Sequence, residues 1–353
     1  MNIAVVALFM PSGVTGGSGS QAHLLSNELV RRGHRVTVFT VFPPLPDATY
    51  DTCLVPLSGL ASRLQSALTG SLMLTFPSAV ARMDFARFDI IHAHGDSHCI
   101  GGQTPVVRTF HSFGLDQMLH AVSWRRRAGM AAVYPLELAG GLRARARVFV
   151  SRALRHYYPL GGGPVIPNAV DQGVFSPGGK RSEAPSILFV AGTRHGHKRG
   201  ELLLRHFQQT VRPRHPTAEL RMVCAEPVEG PGVRWLGILR GHQLADAYRE
   251  AWVFCLPSSH ETFGVPYIEA MASGTPVVAT PNMGAREVLD GGRFGILADP
   301  AGLGEALSNL LEDGDRRREM SERGRLRAAD FSLGATVDSY ERLFADVAVG
   351  RAA

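Results

Sequence analysis

Two carboxylates eight residues apart mark the part of this 353-residue sequence with the clearest capacity for chemistry. Glu269 could accept hydrogen bonds from a pair of vicinal hydroxyls, and Glu261 could reach a hydroxylated ring nearby. An acidic residue early in a helix more often only complements the helix dipole, which is the simpler interpretation of Glu269 alone. The presence of both carboxylates around a glycine favours a ligand site.

The elements around the two carboxylates predict that the ligand is an anion. The apolar run Trp252–Leu256 has the length of a buried strand, and a loop containing Gly264 follows it. Pro266 suits the first position of a helix, which places Glu269 in the first turn, and Gly274 ends that helix. Free backbone N–H groups at the start of such a helix attract phosphate.

The same stretch resembles a known signature. The two glutamates with seven residues between them, followed by Ala270–Ala272 and Gly274–Thr280, closely resemble the motif of family 4 retaining glycosyltransferases. The resemblance implies the GT-B fold, in which two Rossmann-like domains with parallel sheets face each other across a cleft. Strand–helix alternation along the chain independently predicts two parallel α/β sheets.

The resemblance also assigns site residues. The implied donor-binding residues are Gly16, Gly17, Arg194, Lys198, Arg199, Phe263, Gly264, Val265 and Glu269. The implied catalytic residues are His111, Glu261 and Lys198, where His111 matches the Thr-x-His position that contacts the donor sugar. A histidine that only makes structural hydrogen bonds is the alternative for His111.

The basic loop before the next predicted helix departs from the family pattern. Thr193 stands where the family often has arginine, so either Arg194 or Arg199 is the second cation for the diphosphate. Lys198 falls at the usual lysine position when counted from Gly192, and Arg199 does when counted from Gly200; Lys198 is the favoured choice. A solvated basic loop without a ligand is the alternative, and its position before a helix argues against it.

Domain limits follow from composition and from the resemblance. Residues 1–165 are expected to form an acceptor-side domain, with a Gly/Pro-rich linker at 166–185. Residues 186–330 form the nucleotide-sugar domain, and 331–353 form a helix that returns to the first domain.

Several other ligands are less favoured. The net charge is +6, yet few aromatic residues interleave the basic runs, which argues against nucleic acid. A peripheral membrane contact through Arg125–Arg127 is possible but not favoured.

His92, His94 and His98 could be read as metal ligands, but strand-end histidines with ordinary hydrogen bonds are the stronger interpretation, and no metal site is predicted. Asp313-Gly314-Asp315 is interpreted as part of a polar helix.

The compartment is predicted from what the sequence lacks. No apolar run reaches the length of a membrane-spanning helix, and no leader peptide is recognised, so a cytoplasmic location is expected. The four cysteines form no CxxC pair and are expected to be free, buried thiols.

The predicted function is transfer of a sugar, with retention, from a nucleotide diphosphate-sugar to an acceptor hydroxyl. A UDP-sugar is placed ahead of a GDP-sugar, and no metal cofactor is required. The acceptor is expected to be a small molecule, such as a natural product, or a glycan. Two alternatives remain open. A nucleotide-sugar epimerase of similar build would convert the donor without an acceptor, and a silent binding subunit would bind the donor without turnover.

Overall fold

The computed structural model describes residues 1–8, 10–11, 17–57, 59, 75–95, 98–112, 114–115, 118 and 124–350. The chain divides into two compact units. Unit 1 contains Met1–Pro167 and Thr336–Ala353, and unit 2 contains Asn168–Ala335. Each unit is built around one sheet of six parallel strands.

Unit 1 has the strand order β3-β2-β1-β4-β5-β6. Its strands are β1 (Asn2–Val6), β2 (Arg35–Thr40), β3 (Asp51–Leu54), β4 (Ile90–His94), β5 (Val106–Phe110) and β6 (Ala146–Phe149). Its described helices are α1 (Gly17–Arg31), α2 (Thr75–Val80), α3 (Trp124–Arg143), α4 (Arg152–Tyr157) and most of α11 (Leu333–Ala348). The central strand β1 is buried from Ile3 to Val6, as expected for a parallel sheet covered on both faces.

Unit 2 has the strand order β12-β11-β10-β7-β8-β9. Its strands are β7 (Ser186–Val190), β8 (Glu219–Val223), β9 (Val233–Gly237), β10 (Val253–Leu256), β11 (Val277–Ala279) and β12 (Ile296–Leu297). Its helices are α5 (Gly200–His206), α6 (Gly241–Glu250), α7 (Val265–Ala272), α8 (Met283–Val288), α9 (Leu303–Glu312) and α10 (Gly314–Ala329). Helix α5 continues through a π turn at Phe207–Val211 into Arg212–Arg214, and short 3-10 turns lie at Gly196–Lys198, Asp290–Gly292 and Pro300–Gly302.

Each sheet has a point at which the strand order changes direction. In unit 1 this point lies between β1 and β4, and in unit 2 it lies between β7 and β10. The loops that follow these strand pairs diverge to opposite sides, which opens a crevice at the carboxyl ends of the strands. The loops that contain Lys198 and Glu261 follow β7 and β10 and therefore line the crevice of unit 2.

The predicted pair of parallel α/β sheets is confirmed. The glycines of Pro11–Ser20 predict a loop after β1, and the apolar spacing of Gln21–Arg32 predicts a helix, but α1 already begins at Gly17. Gly19, in the first turn of α1, is buried. The spacing of apolar residues over Leu57–Met83 also predicts a helix, but most of this segment lies outside the described residues, as does Gly16.

Other expectations have mixed outcomes. Cys224 and Cys255 are buried free thiols, but Cys99 is exposed and Cys53 is half-buried. The prediction that all four cysteines are buried was therefore wrong. Asp313 caps α10 by accepting a hydrogen bond from the Arg316 N–H at 2.8 Å, in agreement with a polar helix. None of the described helices is long and apolar enough to cross a membrane.

Candidate functional site

An ion pair connects the two loops at the switch point of unit 2. The Nζ of Lys198 donates to Oε1 of Glu261 at 2.6 Å. The backbone N–H of Ser259 donates to the carbonyl of His197 at 2.8 Å, which holds the same two loops together. The side chains of Lys198 and Glu261 are 19% and 11% exposed, so the pair is only partly accessible to solvent. The structure therefore brings together two of the three predicted catalytic residues.

The two candidate second cations differ in their surroundings. The guanidinium of Arg194 pairs with Glu201, and its backbone N–H donates to Oε2 of Glu226 at 3.2 Å. Arg199 has a left-handed backbone (φ 53°, ψ 36°) immediately before α5. Within the part of the chain that the structure describes, no acidic side chain pairs with the Arg199 guanidinium. Arg199 is thus the better candidate for an external anion, and this role remains a prediction.

Helix α7 starts one residue earlier than the sequence predicted. It begins at Val265, so Pro266 is its second residue and Glu269 lies in its second turn, where the prediction had placed it in the first. The physical reason is the left-handed conformation of Gly264 (φ 91°), which turns the chain into the helix directly after the loop. A Cβ at Gly264 would lie 2.4 Å from the Tyr267 ring, so this position also requires a glycine for space.

The Glu269 carboxyl is held by a buried tyrosine that the sequence analysis did not single out. The Oη of Tyr248 donates to Oε2 of Glu269 at 3.0 Å, and Tyr248 is completely buried. Desolvation raises the pKa of Glu269 to about 7, and the hydrogen bond from Tyr248 opposes this rise. Glu269 can therefore change its charge near neutral pH. No pattern signals Tyr248, because it lies on the buried face of the ordinary amphipathic helix α6.

A third loop, after β11, holds the Glu261 loop in place through hydrogen bonds. The Asn282 amide donates to the carbonyl of Ser258 at 3.0 Å, and its Oδ1 accepts from the Ala285 N–H at the start of α8. The N–H of Gly284 donates to the carbonyl of Glu261 at 2.7 Å. A Cβ at Gly284 would lie 2.3 Å from the carbonyl oxygen of Phe263, so only glycine fits there.

The predicted donor-binding residues around Gly264 contribute in different ways. Phe263 is buried and its ring packs edge-on against Phe331, with ring centroids 5.6 Å apart. Its side chain therefore belongs to the core, and only its backbone can contact a ligand. Val265 is half-buried and supplies the first N–H of α7. Gly17 is exposed at the first position of α1 in unit 1.

His111 belongs to a histidine cluster in unit 1, whereas Lys198 and Glu261 lie in unit 2. Its Nε2 lies 2.9 Å from Nδ1 of His94. His92 and His98 are buried, which lowers the pKa of His92 to about 3 and that of His98 to about 4. Across the described ranges, no group of three or more His, Cys, Asp or Glu side chains could hold a metal ion.

The fold of this chain is shared with solved structures of low sequence identity. Sucrose-phosphate synthase from Thermosynechococcus elongatus has a similar structure, with a TM-score of 0.79, 22% identity and 98% of each chain covered. WaaG, a glycosyltransferase of lipopolysaccharide biosynthesis, gives a TM-score of 0.72 at 16% identity, covering 99% of this chain and all of WaaG. Two parallel Rossmann-like sheets with this topology define the GT-B fold.

Sequence comparisons then give the family. The model described as Glycosyltransferase Family 4 matches residues 15–173, and the model described as Glycosyl transferases group 1 matches residues 184–313. The chain belongs to the family 4 glycosyltransferases and is a retaining glycosyltransferase that uses a nucleotide-sugar donor.

Named relatives are distant. A D-inositol 3-phosphate glycosyltransferase of Corynebacterium jeikeium is 26% identical, with 95% of this chain and 93% of the relative covered. A phosphatidyl-myo-inositol mannosyltransferase of Mycolicibacterium smegmatis is 28% identical, with 86% and 83% covered.

Proposed function

We propose that this enzyme transfers a sugar from a UDP-sugar to a hydroxyl of a small polyol acceptor, with an inositol derivative as the first class to test. The Lys198–Glu261 pair at the switch point of unit 2 is the observation that carries the donor part. The similarity to a D-inositol 3-phosphate glycosyltransferase and to a phosphatidyl-myo-inositol mannosyltransferase supports the acceptor part. Anabaena HepE, whose structure contains UDP-glucose, shares the fold at a TM-score of 0.71 and 17% identity, which supports UDP as the first nucleotide to test.

The proposed chemistry breaks the bond between the anomeric carbon and the diphosphate oxygen, and the electron pair leaves with the diphosphate. A new bond forms between the same carbon and the acceptor oxygen, and the products are a glycoside, UDP and a proton. Lys198 and Arg199 would stabilise the negative charge that develops on the diphosphate. Glu269 would accept hydrogen bonds from the ribose hydroxyls, and Glu261 and His111 would orient the donor sugar.

The proposal includes two further points from the sequence. Protein cations take the role of a metal, so we expect the same rate in the presence of excess EDTA. We also propose a cytoplasmic location, because the four cysteines are free, as is usual in a reducing compartment.

The small number of lysines allows a direct test. Lys180 and Lys198 are the only two lysines among 37 basic residues. Acetylation with an N-hydroxysuccinimide ester, followed by peptide mass spectrometry, would measure the acetylation rate of each lysine in one sample. Lys180 has a side chain 88% exposed and serves as the internal control. We expect UDP-glucose to slow the acetylation of Lys198 at least 5-fold while Lys180 is unchanged, and this protection to weaken in Glu269→Gln.

The outcomes separate the alternatives. If no UDP-, GDP-, ADP- or TDP-sugar protects Lys198, the proposed donor site is wrong. Protection with donor conversion but no need for an acceptor would indicate an epimerase. Protection without turnover, on a panel that includes myo-inositol and inositol phosphates, would indicate a silent binding subunit. Transfer to lipid-linked or polymeric acceptors alone would contradict the small-acceptor proposal.

A further inference from the structure

The Tyr248 side chain, which donates to Glu269, packs against two other aromatic rings of unit 2. Its ring centroid lies 5.3 Å from that of Phe254 on β10 and 6.0 Å from that of Phe175, and both pairs meet edge-on. The backbone of Tyr248 is fixed as well, because its carbonyl accepts a hydrogen bond from the Thr275 hydroxyl at 2.6 Å. Ring and backbone contacts therefore set the direction in which the Tyr248 hydroxyl reaches Glu269.

Phe175 comes from the Asp171–Ser176 segment, which lies within the predicted linker and within unit 2. Its N–H donates to the carbonyl of Asp171 at 2.8 Å, which closes a tight turn. The guanidinium of Arg249 donates to the two carbonyls on either side of Phe175, at 3.2 and 3.3 Å. Arg249 is the residue next to Tyr248 on α6, so two successive helix residues hold this segment. Phe175 is therefore kept in contact with the Tyr248 ring.

The Tyr248 hydroxyl is a permanent donor to Glu269. Burial, and then the Glu269 carboxyl, raise the pKa of Tyr248 well above its ordinary value, so the hydroxyl keeps its hydrogen. Glu269 itself is half-buried, so its side chain stays partly accessible to a ligand while Oε2 accepts from Tyr248. This hydrogen bond favours the ionised carboxyl and thereby lowers the pKa of Glu269.

Charged groups on the elements around α7 are directed elsewhere. They are Glu261 in its ion pair, Arg249 at the Asp171–Ser176 carbonyls, Arg286 exposed on α8, and Arg325 beside Gly274 after the end of α7. Among the described residues, no charged side chain pairs with the Glu269 carboxyl. Tyr248 is therefore the titratable group that faces Glu269.

We propose that Tyr248 is a positioning residue for the donor site and that Phe175 keeps it in place, so that the Asp171–Ser176 segment acts on donor binding through Tyr248. The inference rests on the proposed role of Glu269 at the ribose hydroxyls. Tyr248 holds one carboxyl oxygen and favours the ionised form, which accepts hydrogen bonds from hydroxyls better than the acid does. A change at Phe175 loosens the tyrosine ring, and donor affinity falls.

Nuclear magnetic resonance measures the Glu269 carboxyl without any substrate. The protein would be labelled with 13C at the glutamate carboxyls, and the Glu269 signal would be identified by its loss in Glu269→Gln. In wild type we expect a titration midpoint near pH 7. Tyr248→Phe removes the hydroxyl and keeps the ring, so the midpoint should move to higher pH by about half a unit or more. Phe175→Leu should move it less, in the same direction.

Two matched controls are available. Tyr340→Phe also removes the hydroxyl of a buried tyrosine that makes a hydrogen bond, but it lies in unit 1. Phe294→Leu changes another half-buried ring of unit 2, which contacts the Arg327 guanidinium at 5.5 Å. We expect neither to move the Glu269 midpoint. Thermal melting of each variant would identify any that fails to fold.

Titration calorimetry with UDP-glucose tests the path from Phe175 to the donor. At pH 7 we expect the Kd to rise about 5- to 20-fold in Tyr248→Phe and about 3- to 10-fold in Phe175→Leu. The double variant should bind no more weakly than Tyr248→Phe alone, because Phe175 acts through the hydroxyl that is already lost. The difference between wild type and Tyr248→Phe should narrow at pH 9, where Glu269 is ionised in both.

The possible results separate the two levels of the inference. An unchanged Glu269 midpoint in Tyr248→Phe, or an equal change in Tyr340→Phe, would overturn the role of Tyr248. Fully multiplicative losses of affinity in the double variant would overturn the role of Phe175. If wild-type protein binds no nucleotide-sugar, the proposed function fails, and the Glu269 midpoint still decides whether Tyr248 controls this carboxyl.

Discussion

Lys198 and Glu261 neutralise each other across 2.6 Å, although 63 residues separate them in the sequence. A diphosphate that binds at this point must compete with the Glu261 carboxylate for the lysine. The pair can therefore keep the cation in place before the donor arrives, at a cost in affinity for the diphosphate. Nearly all other cations of this chain are arginines, so a compact ammonium group at this position is a distinctive choice.

This relationship predicts opposite effects of two substitutions. Glu261→Gln removes the competitor, so we expect UDP to bind about 3- to 10-fold more tightly while kcat falls at least about 100-fold. Lys198→Arg should transfer sugar more slowly than wild type, because a planar guanidinium cannot replace the ammonium group at the same distance from Glu261. Isothermal titration with UDP and a transfer assay measure both quantities. Lys180→Arg is the control, and weaker UDP binding in Glu261→Gln would contradict the prediction.

Glu269 makes folding stability depend on pH. Its pKa rises from an ordinary 4.5 to about 7 in the folded protein, so the folded state holds a proton that the unfolded state has lost between these values. Stability therefore falls as pH rises from 4.5 to 7. Glutamine does not titrate, so Glu269→Gln lacks this loss. We expect its free energy of unfolding, relative to that of wild type, to increase by about 1–3 kcal/mol between pH 5 and pH 8. Urea unfolding at both pH values measures it.

The control for this experiment is Glu305→Gln, which changes a side chain that is 63% exposed on α9. Its stability relative to wild type should have little dependence on pH. A pH-independent difference between Glu269→Gln and wild type would show that the Glu269 carboxyl is not desolvated as described.

Donor binding should have the opposite pH dependence. A carboxylate accepts hydrogen bonds from ribose hydroxyls better than a carboxylic acid, so the affinity of wild type for UDP-glucose should fall as pH decreases below about 7. UDP-glucose is preferred to UDP here because UDP has a terminal phosphate that itself titrates near pH 6. Titration calorimetry between pH 5.5 and pH 8.5 measures the effect. Glu269→Gln should bind weakly at every pH, and a parallel pH dependence in both proteins would reject the role of Glu269.

Gly284 limits the position of the Glu261 loop. In Gly284→Ala the new Cβ would meet the Phe263 carbonyl at 2.3 Å, so the loop must shift. We expect a loss of about 1–3 kcal/mol in stability and a clear decrease in UDP-glucose affinity. Gly302→Ala is the matched control, because nothing lies within 4 Å of its added Cβ and its φ is −90°. Equal effects in the two variants, measured by unfolding and calorimetry, would contradict this role.

Arg199 combines backbone strain with a cation that has no acidic partner among the described residues. A left-handed non-glycine residue costs about 1–2 kcal/mol, so Arg199→Gly should be more stable than Arg199→Ala by about 1 kcal/mol. Both variants should bind UDP about 10-fold more weakly than wild type, because both lose the cation. Arg194→Ala should affect UDP affinity less, since Arg194 already pairs with Glu201. If Arg194→Ala has the larger effect on affinity, Arg194 is the second cation.

Local chemistry explains what could be predicted and where the prediction stopped. The loop–helix–strand order around Gly264 was readable because glycine and proline act on their own backbone. The start of α7 was misplaced by one residue, because the left-handed conformation of Gly264 turns the chain into the helix directly after the loop. The start of α1 was placed too late, because glycine disfavours a helix and yet Gly17 and Gly19 lie in its first turn.

The sequence alone determined the class of this protein: two parallel α/β sheets and a retaining glycosyltransferase signature, both of which depend on residues close together in the chain. Only the tertiary structure decided which side chains are partners. Lys198 meets Glu261 because β7 and β10 are neighbours in the sheet. Helix packing brings Tyr248 on α6 to Glu269 on α7, and Tyr340 on α11 to Thr109 on β5. These pairs join distant segments, and sequence spacing contains no information on how far apart such segments lie after folding.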